Sequence, residues 1–418
     1  LIDFLKNLGN NILSPFLTIY ARYKGFSESF VGIFNGILNL SPLFGFLFTL
    51  LIFYVQKRKY LNKNILMSII FQIFLITTLL HGISWLIYYY SKTETIFLIN
   101  TLLLSIIGGI FNLIYTTFIL KYFRNNVEGY ANLNFAYAFA YILSSLISGY
   151  VIYVSGFNYF LFLFPLIIFI ILLLLFLRIE KDVKIELIDM DSETKISQKI
   201  LKFIALFGFF YFSVGLAAPY FALLFTERIK LSTFEWAIVG IVEMLSYIIL
   251  FPSIKLIPKK YDSRTLIFFS SFLISLTPLV WVIFKSYPII ILYSIISGVV
   301  WRVLSIAYLS YLSKLPSYFN VGLFNVITSI CYSAGSFFSS LILSFYDLET
   351  IFYISAIFRF FSSILFLTLE KKSFDFKSLA KDFGIMIFNT FNILVEVFDI
   401  WIKAVILKEK YKYKYIYK

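Results

Sequence analysis

The chain has 418 residues, of which 61% are hydrophobic, 21% aromatic and only 14% charged, with a formal net charge of +14. A soluble domain is about 45–50% apolar and about 25% charged, so this composition is that of an integral membrane protein. One cysteine, Cys331, excludes an internal disulfide and a thiolate metal cluster, and one histidine, His81, removes most imidazole metal chemistry. The basic excess reads as topological and implies no nucleic-acid partner.

A membrane-crossing helix needs about 20 mostly apolar residues. Twelve such runs follow one another, at 1–22, 30–55, 64–90, 95–122, 129–153, 158–178, 200–226, 234–257, 264–285, 288–312, 320–345 and 349–369. Open strands cannot stand in lipid, and the runs lack the alternation of a membrane barrel, so they are expected as helices, segments 1 to 12. The first residues, LIDFLKNLGNN, mix acid, base and amides and do not read as a signal peptide.

Loop charge sets the orientation. QKRKYLNKN after segment 2 holds Lys57, Arg58, Lys59 and Lys63, and KLIPKKYDSR after segment 8 is as basic, whereas SKTET and SGFN are neutral and YDLET is acidic. Even-numbered segments are therefore expected to end in the cytoplasm, which makes this a multi-pass protein of the cell membrane with both termini cytoplasmic. The longest internal connection, 179–199, is charged, mixed in sign and cytoplasmic by the same count. It divides the chain into six-helix bundles at 1–178 and 200–370, followed by a tail at 371–418.

The two halves repeat each other weakly. A shift of 204 residues lays Pro15 on Pro219, Phe30 on Phe234, Gly36 on Gly240 and Asn39 on Glu243. A shift of 189 lays SIIGGIFNL from Ser105 on SIISGVVWR from Ser294, and a shift of 193 lays Gly129–Asn132 on Gly322–Asn325. Three collinear matches fit a diverged duplication. The stretch Asn11–Leu40, with Pro15, a short loop and GFS opening segment 2, resembles the first two helices of the major facilitator superfamily. That resemblance covers residues 1–370 and implies two six-helix bundles, a substrate cavity between them and alternating access. The family's usual Asp-Arg and Gly-Arg loop after the second helix is degenerate here, which puts an inner-gate charge relay in doubt.

Ionisable groups inside spans are functional candidates. Glu243 in segment 8 and Arg302 in segment 10 would lie roughly 13 and 21 Å below the outer surface on helices running the same way. Two readings fit them: a protonatable coupling group with an anion-binding or counter-charge arginine, or a fixed structural pair. Arg359 in segment 12, beside Ser355, Ser362 and Ser363, reads as packing, and His81 as incidental. Polar residues fall on single helix faces: Asn7, Asn10, Ser14 and Thr18; Ser105, Gly109, Asn112 and Thr116; Ser294, Gly298, Arg302 and Ser305; and Asn325, Thr328, Tyr332 and Ser336. With Asn39, these faces are expected to border an aqueous cavity or a helix contact. The substrate and coupling candidates are Glu243, Arg302, Asn39, Asn112, Asn325 and Tyr332; no residue set points to a cofactor or a metal.

In the tail, Asn389, Asn392, Glu396, Asp399 and Lys403 make a narrow polar stripe on an apolar helix. It is expected to lie on cytoplasmic lipid headgroups, or to dock a partner subunit. The favoured function is secondary transport of a small polar or anionic solute with protons as the coupling ion. A transporter-shaped scaffold is the alternative. A polytopic enzyme is disfavoured by short outer loops without paired carboxylates, and an ATP-driven pump by the lack of a phosphate-binding Gly-Lys loop.

Overall fold

The computed structural model describes residues 1–58, 60, 62–123, 127–179, 198–254, 262–312 and 318–369, with isolated positions between 381 and 392. The 179–199 connection and the tail stripe therefore lie almost wholly outside the described residues. Among the described residues the helical stretches stand in the predicted order, and ten are long and apolar enough to cross a membrane. Among the described residues there is no strand.

Proline and polar residues decide where the helices break. Segment 1 runs as Ile2–Asn11, a 3-10 turn Ser14–Phe16 around Pro15, and Leu17–Tyr23. Segment 7 runs as Gln198–Ala217, a 3-10 turn Ala218–Tyr220 around Pro219, and a final stretch ending at Arg228. A proline has no N–H and its ring crowds the preceding turn, so the ladder opens at both places, 204 residues apart. Segment 2 starts at the Ser27 cap, whose hydroxyl accepts from Phe30 N at 3.1 Å, and is divided into Glu28–Leu38 and Ser41–Lys57. The other segments are Lys63–Tyr90, Glu94–Phe123, Val127–Ser155, Tyr159–Ile179, Thr233–Ile254, Ser263–Ile283, Tyr287–Leu312, Tyr318–Ile342 and Leu348–Phe366.

The packing repeats between halves. Segment 1 lies against 5 and 6, segment 3 against 4 and 6, and segment 2 against 4. Adding six to each number gives the contacts of the second bundle: 7 against 11 and 12, 9 against 10 and 12, and 8 against 10. The bundles meet through segments 5 and 8 and segments 2 and 11, which also exchange under the same addition. Large apolar side chains such as Phe160, Leu174, Ile357 and Phe361 point outward, as lipid-facing residues must.

Bare backbone sets the closest crossings, as expected where lipid supplies no hydrophobic drive between helices. A side chain on Gly215 would run into the Tyr332 carbonyl, and one on Gly335 into the Phe212 carbonyl, so segments 7 and 11 touch main chain to main chain. Gly215→Leu is expected to force them apart and destabilise the fold by about 1–3 kcal/mol, seen as a lower melting temperature in detergent. An unchanged melting curve would show that the crossing tolerates a side chain.

Candidate functional site

The break in segment 2 opens onto a cavity of about 400 Å³ between the bundles. Segment 2 contributes Leu38, Asn39, Ser41 and Pro42; segment 11 faces it with Phe324, Asn325, Thr328, Ser329 and Tyr332. Tyr211 of segment 7 and Tyr308 of segment 10 complete the wall. The wall holds two carboxamides, three phenols and three hydroxyls, and its described lining has no carboxylate, ammonium or guanidinium. Asn39 is held in place by its Nδ2 donating to Asn35 O at 2.8 Å, while the Ser329 hydroxyl donates to the Asn39 carbonyl and bridges the bundles. Such a surface offers donors, acceptors and flat aromatic faces to a solute.

Toward the expected outer face the bundles are shut. Arg22 of segment 1 donates to both oxygens of Glu227 at 2.8 and 3.3 Å, and Arg228 meets Glu28 at 3.2 Å. Each bundle thus gives one cation and one carboxylate to a crossed pair. Below them Ser340 donates to Ser29 O at 2.6 Å, Trp236 Nε1 to Pro15 O at 3.2 Å and Thr18 to Pro219 O at 3.4 Å. These hydrogen bonds between the bundles lie in this half of the molecule, and Asn39–Ser329 lies at its middle.

Three of the six sequence candidates, Asn39, Asn325 and Tyr332, come together in the cavity wall. The other three do not. Asn112 is half-buried on segment 4, off the lining, because its helix face packs on segment 2: Ser105 donates to Leu38 O at 3.4 Å, and Gly109 sits against Ser41 and Gly45. Glu243 lies where segments 5, 8 and 10 meet, and its described partner is the Ser297 hydroxyl at 3.1 Å. Gly298 packs directly on the Glu243 carbonyl. Arg302 is half-buried one turn further along segment 10, close enough for its charge to act on the Tyr308 phenol.

Two residues that read as unimportant are placed with more consequence. Arg359 is 1% exposed and ties three helices, with Nη2 near Val214 O of segment 7 at 3.4 Å and Nη1 near Ile274 O of segment 9 at 3.5 Å. Among the described residues no carboxylate meets it, and its charge reaches Tyr332 in the cavity wall. His81 is buried and bonded through Nε2 to Asn10 Oδ1 at 2.8 Å. Further down segment 1, Asp3 accepts from Tyr115 at 2.9 Å and Asn7 at 3.0 Å, and Lys6 lies 4.2 Å from the Tyr115 ring centre. The spacing Asp3, Lys6 and Asn7, Asn10 was the available signal. It was hidden because acid and base so near the chain start read only against a signal peptide. Among the described residues no group of side chains could hold a metal ion.

Comparison with known proteins agrees with this geometry. No curated protein matches the sequence significantly. Among solved structures, the nucleoside transporter NupG superposes with a TM-score of 0.69 at 14% identity, over 88% of this chain and 99% of that one. The human organic anion transporter MFSD10 gives 0.57 at 13% identity, over 87% and 97%. A bacterial homolog of the human lysosomal transporter Spinster, inward-facing and unoccupied, gives 0.54 at 11% identity, over 89% and 96%. The family description for the Major Facilitator Superfamily matches residues 1–320, and the chain belongs to that superfamily.

Proposed function

We propose that this protein is a secondary active transporter that carries a small polar solute by alternating access, and that the structure is its inward-open state. One observation carries the reading: both bundles line a central cavity of about 400 Å³ whose expected outer end is closed by contacts between them. Residues 1–178 and 200–370 are the two rocking bodies, in the cell membrane with cytoplasmic termini and the tail stripe on cytoplasmic lipid. Asn39, Asn325 and Tyr332 bind the solute; Arg302 and Arg359 stand behind the wall and bias it toward electron-rich groups. The names of the structural neighbours, nucleoside and organic anion transporters, choose the first probes.

Ligand that binds only the folded state raises apparent stability by mass action. Uridine and benzoate, each at millimolar concentration, are therefore expected to split: one raises the melting temperature of the purified protein, and Asn325→Ala with Tyr332→Phe removes that rise. If neither class shifts the transition and neither exchanges across proteoliposomes, weight moves to the scaffold alternative.

Glu243 is the proposed coupling carboxylate. It sits on the joint between bundles, so its charge state bears on how tightly segments 5, 8 and 10 close. Glu243→Gln is expected to abolish uptake driven by a pH gradient while leaving solute exchange within about twofold. Undiminished driven uptake in this variant refutes the coupling role.

The crossed pairs Arg22–Glu227 and Glu28–Arg228 act as the outer latch. Their side chains are 23–42% exposed, and a pair of that kind contributes about 0.2–1 kcal/mol. Arg22→Ala with Glu28→Ala should thus shift the population several-fold toward the outward-open state. Faster labelling of a cysteine introduced at Asn39 by an impermeant reagent from outside reads that shift; an unchanged rate would show that apolar packing alone holds the face shut.

A further inference from the structure

The two sides of the cavity differ in kind. Segment 2 brings aliphatic, amide and hydroxyl groups, and the second bundle brings every aromatic ring of the described lining: Tyr211, Tyr308, Phe324 and Tyr332. Tyr308 and Phe324 lie 5.3 Å apart between ring centres, tilted by 32°. Behind them stands Phe207 of segment 7, fully buried, with its ring 5.7 Å from Tyr308, 5.4 Å from Phe324 and 6.4 Å from Tyr211. One core ring thus braces three wall rings from segments 7, 10 and 11. Rings fixed in this way are ordered before a solute arrives, so a flat ring can pack on them at little further cost in entropy.

The hydrogen-bonding capacity left in the wall is mostly amide and phenol. Two of the three wall hydroxyls are already used: Thr328 donates to Phe324 O at 2.8 Å, and Ser329 to the Asn39 carbonyl. Asn39 gives one N–H to Asn35 O at 2.8 Å and keeps its other N–H and Oδ1. Asn325 is exposed, and among the described residues its carboxamide and the Tyr211 and Tyr332 hydroxyls have no hydrogen-bond partner. A carboxamide offers a donor beside an acceptor, which matches the N–H and C=O of a ring amide. A carboxylate leaving water needs a charged partner. The described lining has none, and Arg359, 1% exposed, is held behind it on helix carbonyls at 3.4 and 3.5 Å.

We propose that the transported solute is an uncharged, flat heteroaromatic ring with an amide edge, and that Tyr211, Tyr308 and Phe324 select it. The ring packs on the aromatic side of the second bundle while its amide edge meets Asn39 and Asn325. A polyol would leave the aromatic side unused, and an anion would enter without a counter-charge. This rests on the reading that the cavity holds the transported solute, and it names the class of that solute.

Calorimetric titration of the full-length protein in nanodiscs tests the proposal with four probes. Uracil has the flat ring and the amide edge. Dihydrouracil keeps the edge and loses the aromatic ring, orotate adds a carboxylate to uracil, and ribose is a polyol. Uracil is expected to bind, dihydrouracil and orotate about tenfold more weakly, and ribose not at all. Tyr308→Leu should weaken uracil about tenfold and leave dihydrouracil within about twofold, and Tyr308→Phe should restore uracil. A purely structural role for Tyr308 would move both ligands alike. Tyr211→Leu makes the same comparison if Tyr308→Leu does not fold. Dihydrouracil, orotate or ribose binding as tightly as uracil overturns the proposal, as does a Tyr308→Leu loss equal for both rings. Ribose or benzoate exchange across proteoliposomes without uracil binding would overturn it and leave the transporter reading standing. Uracil binding in the expected order without exchange of any probe would support the assigned class and count against transport.

Discussion

In lipid every backbone polar group and every charge must find its partner within the protein. The rest of this structure follows from that constraint. Helices can break only where freed carbonyls and amides meet other polar groups, and here they break at Pro15, at Pro219 and at Asn39–Leu40, all near the plane between the bundles. The broken ends then serve as contacts: Pro15 O accepts from Trp236, Pro219 O from Thr18, and Asn39 O from Ser329. Each bond crosses from one bundle to the other. Backbone groups that a soluble protein would satisfy with water at its surface here join the two bundles.

The same constraint explains why charges stand one layer behind the cavity wall. A guanidinium without a counter-ion costs several kcal/mol in a low-dielectric interior. Arg359 offsets part of that by spanning two helix carbonyls, and in doing so fixes segments 7, 9 and 12 to each other. Its charge still reaches the Tyr332 phenol. Among the described residues the cavity lining is thus polar but carries no charged side chain.

The fold was legible in the sequence and the site only partly. Hydropathy gives the segments, and the 204-residue shift places both proline breaks, because proline acts on the backbone wherever it stands. Asn39, Asn325 and Tyr332 come to line the cavity because they project from broken or exposed helix faces. For the Asn112 face the sequence left a cavity and a helix contact open, because small and polar residues on one side of a helix look alike whether they border water or another backbone; in the structure the face packs on segment 2. The depths of Glu243 and Arg302 suggested a pair, but depth says nothing of helix rotation, and Ser297 faces Glu243 at one residue's remove from Gly298. Arg359 and His81 were discounted by position along the chain, while burial and neighbours depend on which helices pack around them.

The two crossings nearest the cavity are related by the repeat. Gly109 on segment 4 corresponds to Gly298 on segment 10 under the shift of 189, and Gly108 to Ser297. Asn39 on segment 2 corresponds to Glu243 on segment 8 under the shift of 204. In the second bundle the crossing holds a carboxyl group and a hydroxyl in direct contact. In the first, an amide and a glycine stand at the matching sequence positions, and Gly109 packs on the Ser41 carbonyl, two residues along from Asn39. The two halves thus place different polar groups at corresponding crossings, each beside a glycine that lets two helix backbones touch, and one helix of each crossing, segment 2 or segment 10, also reaches the cavity wall.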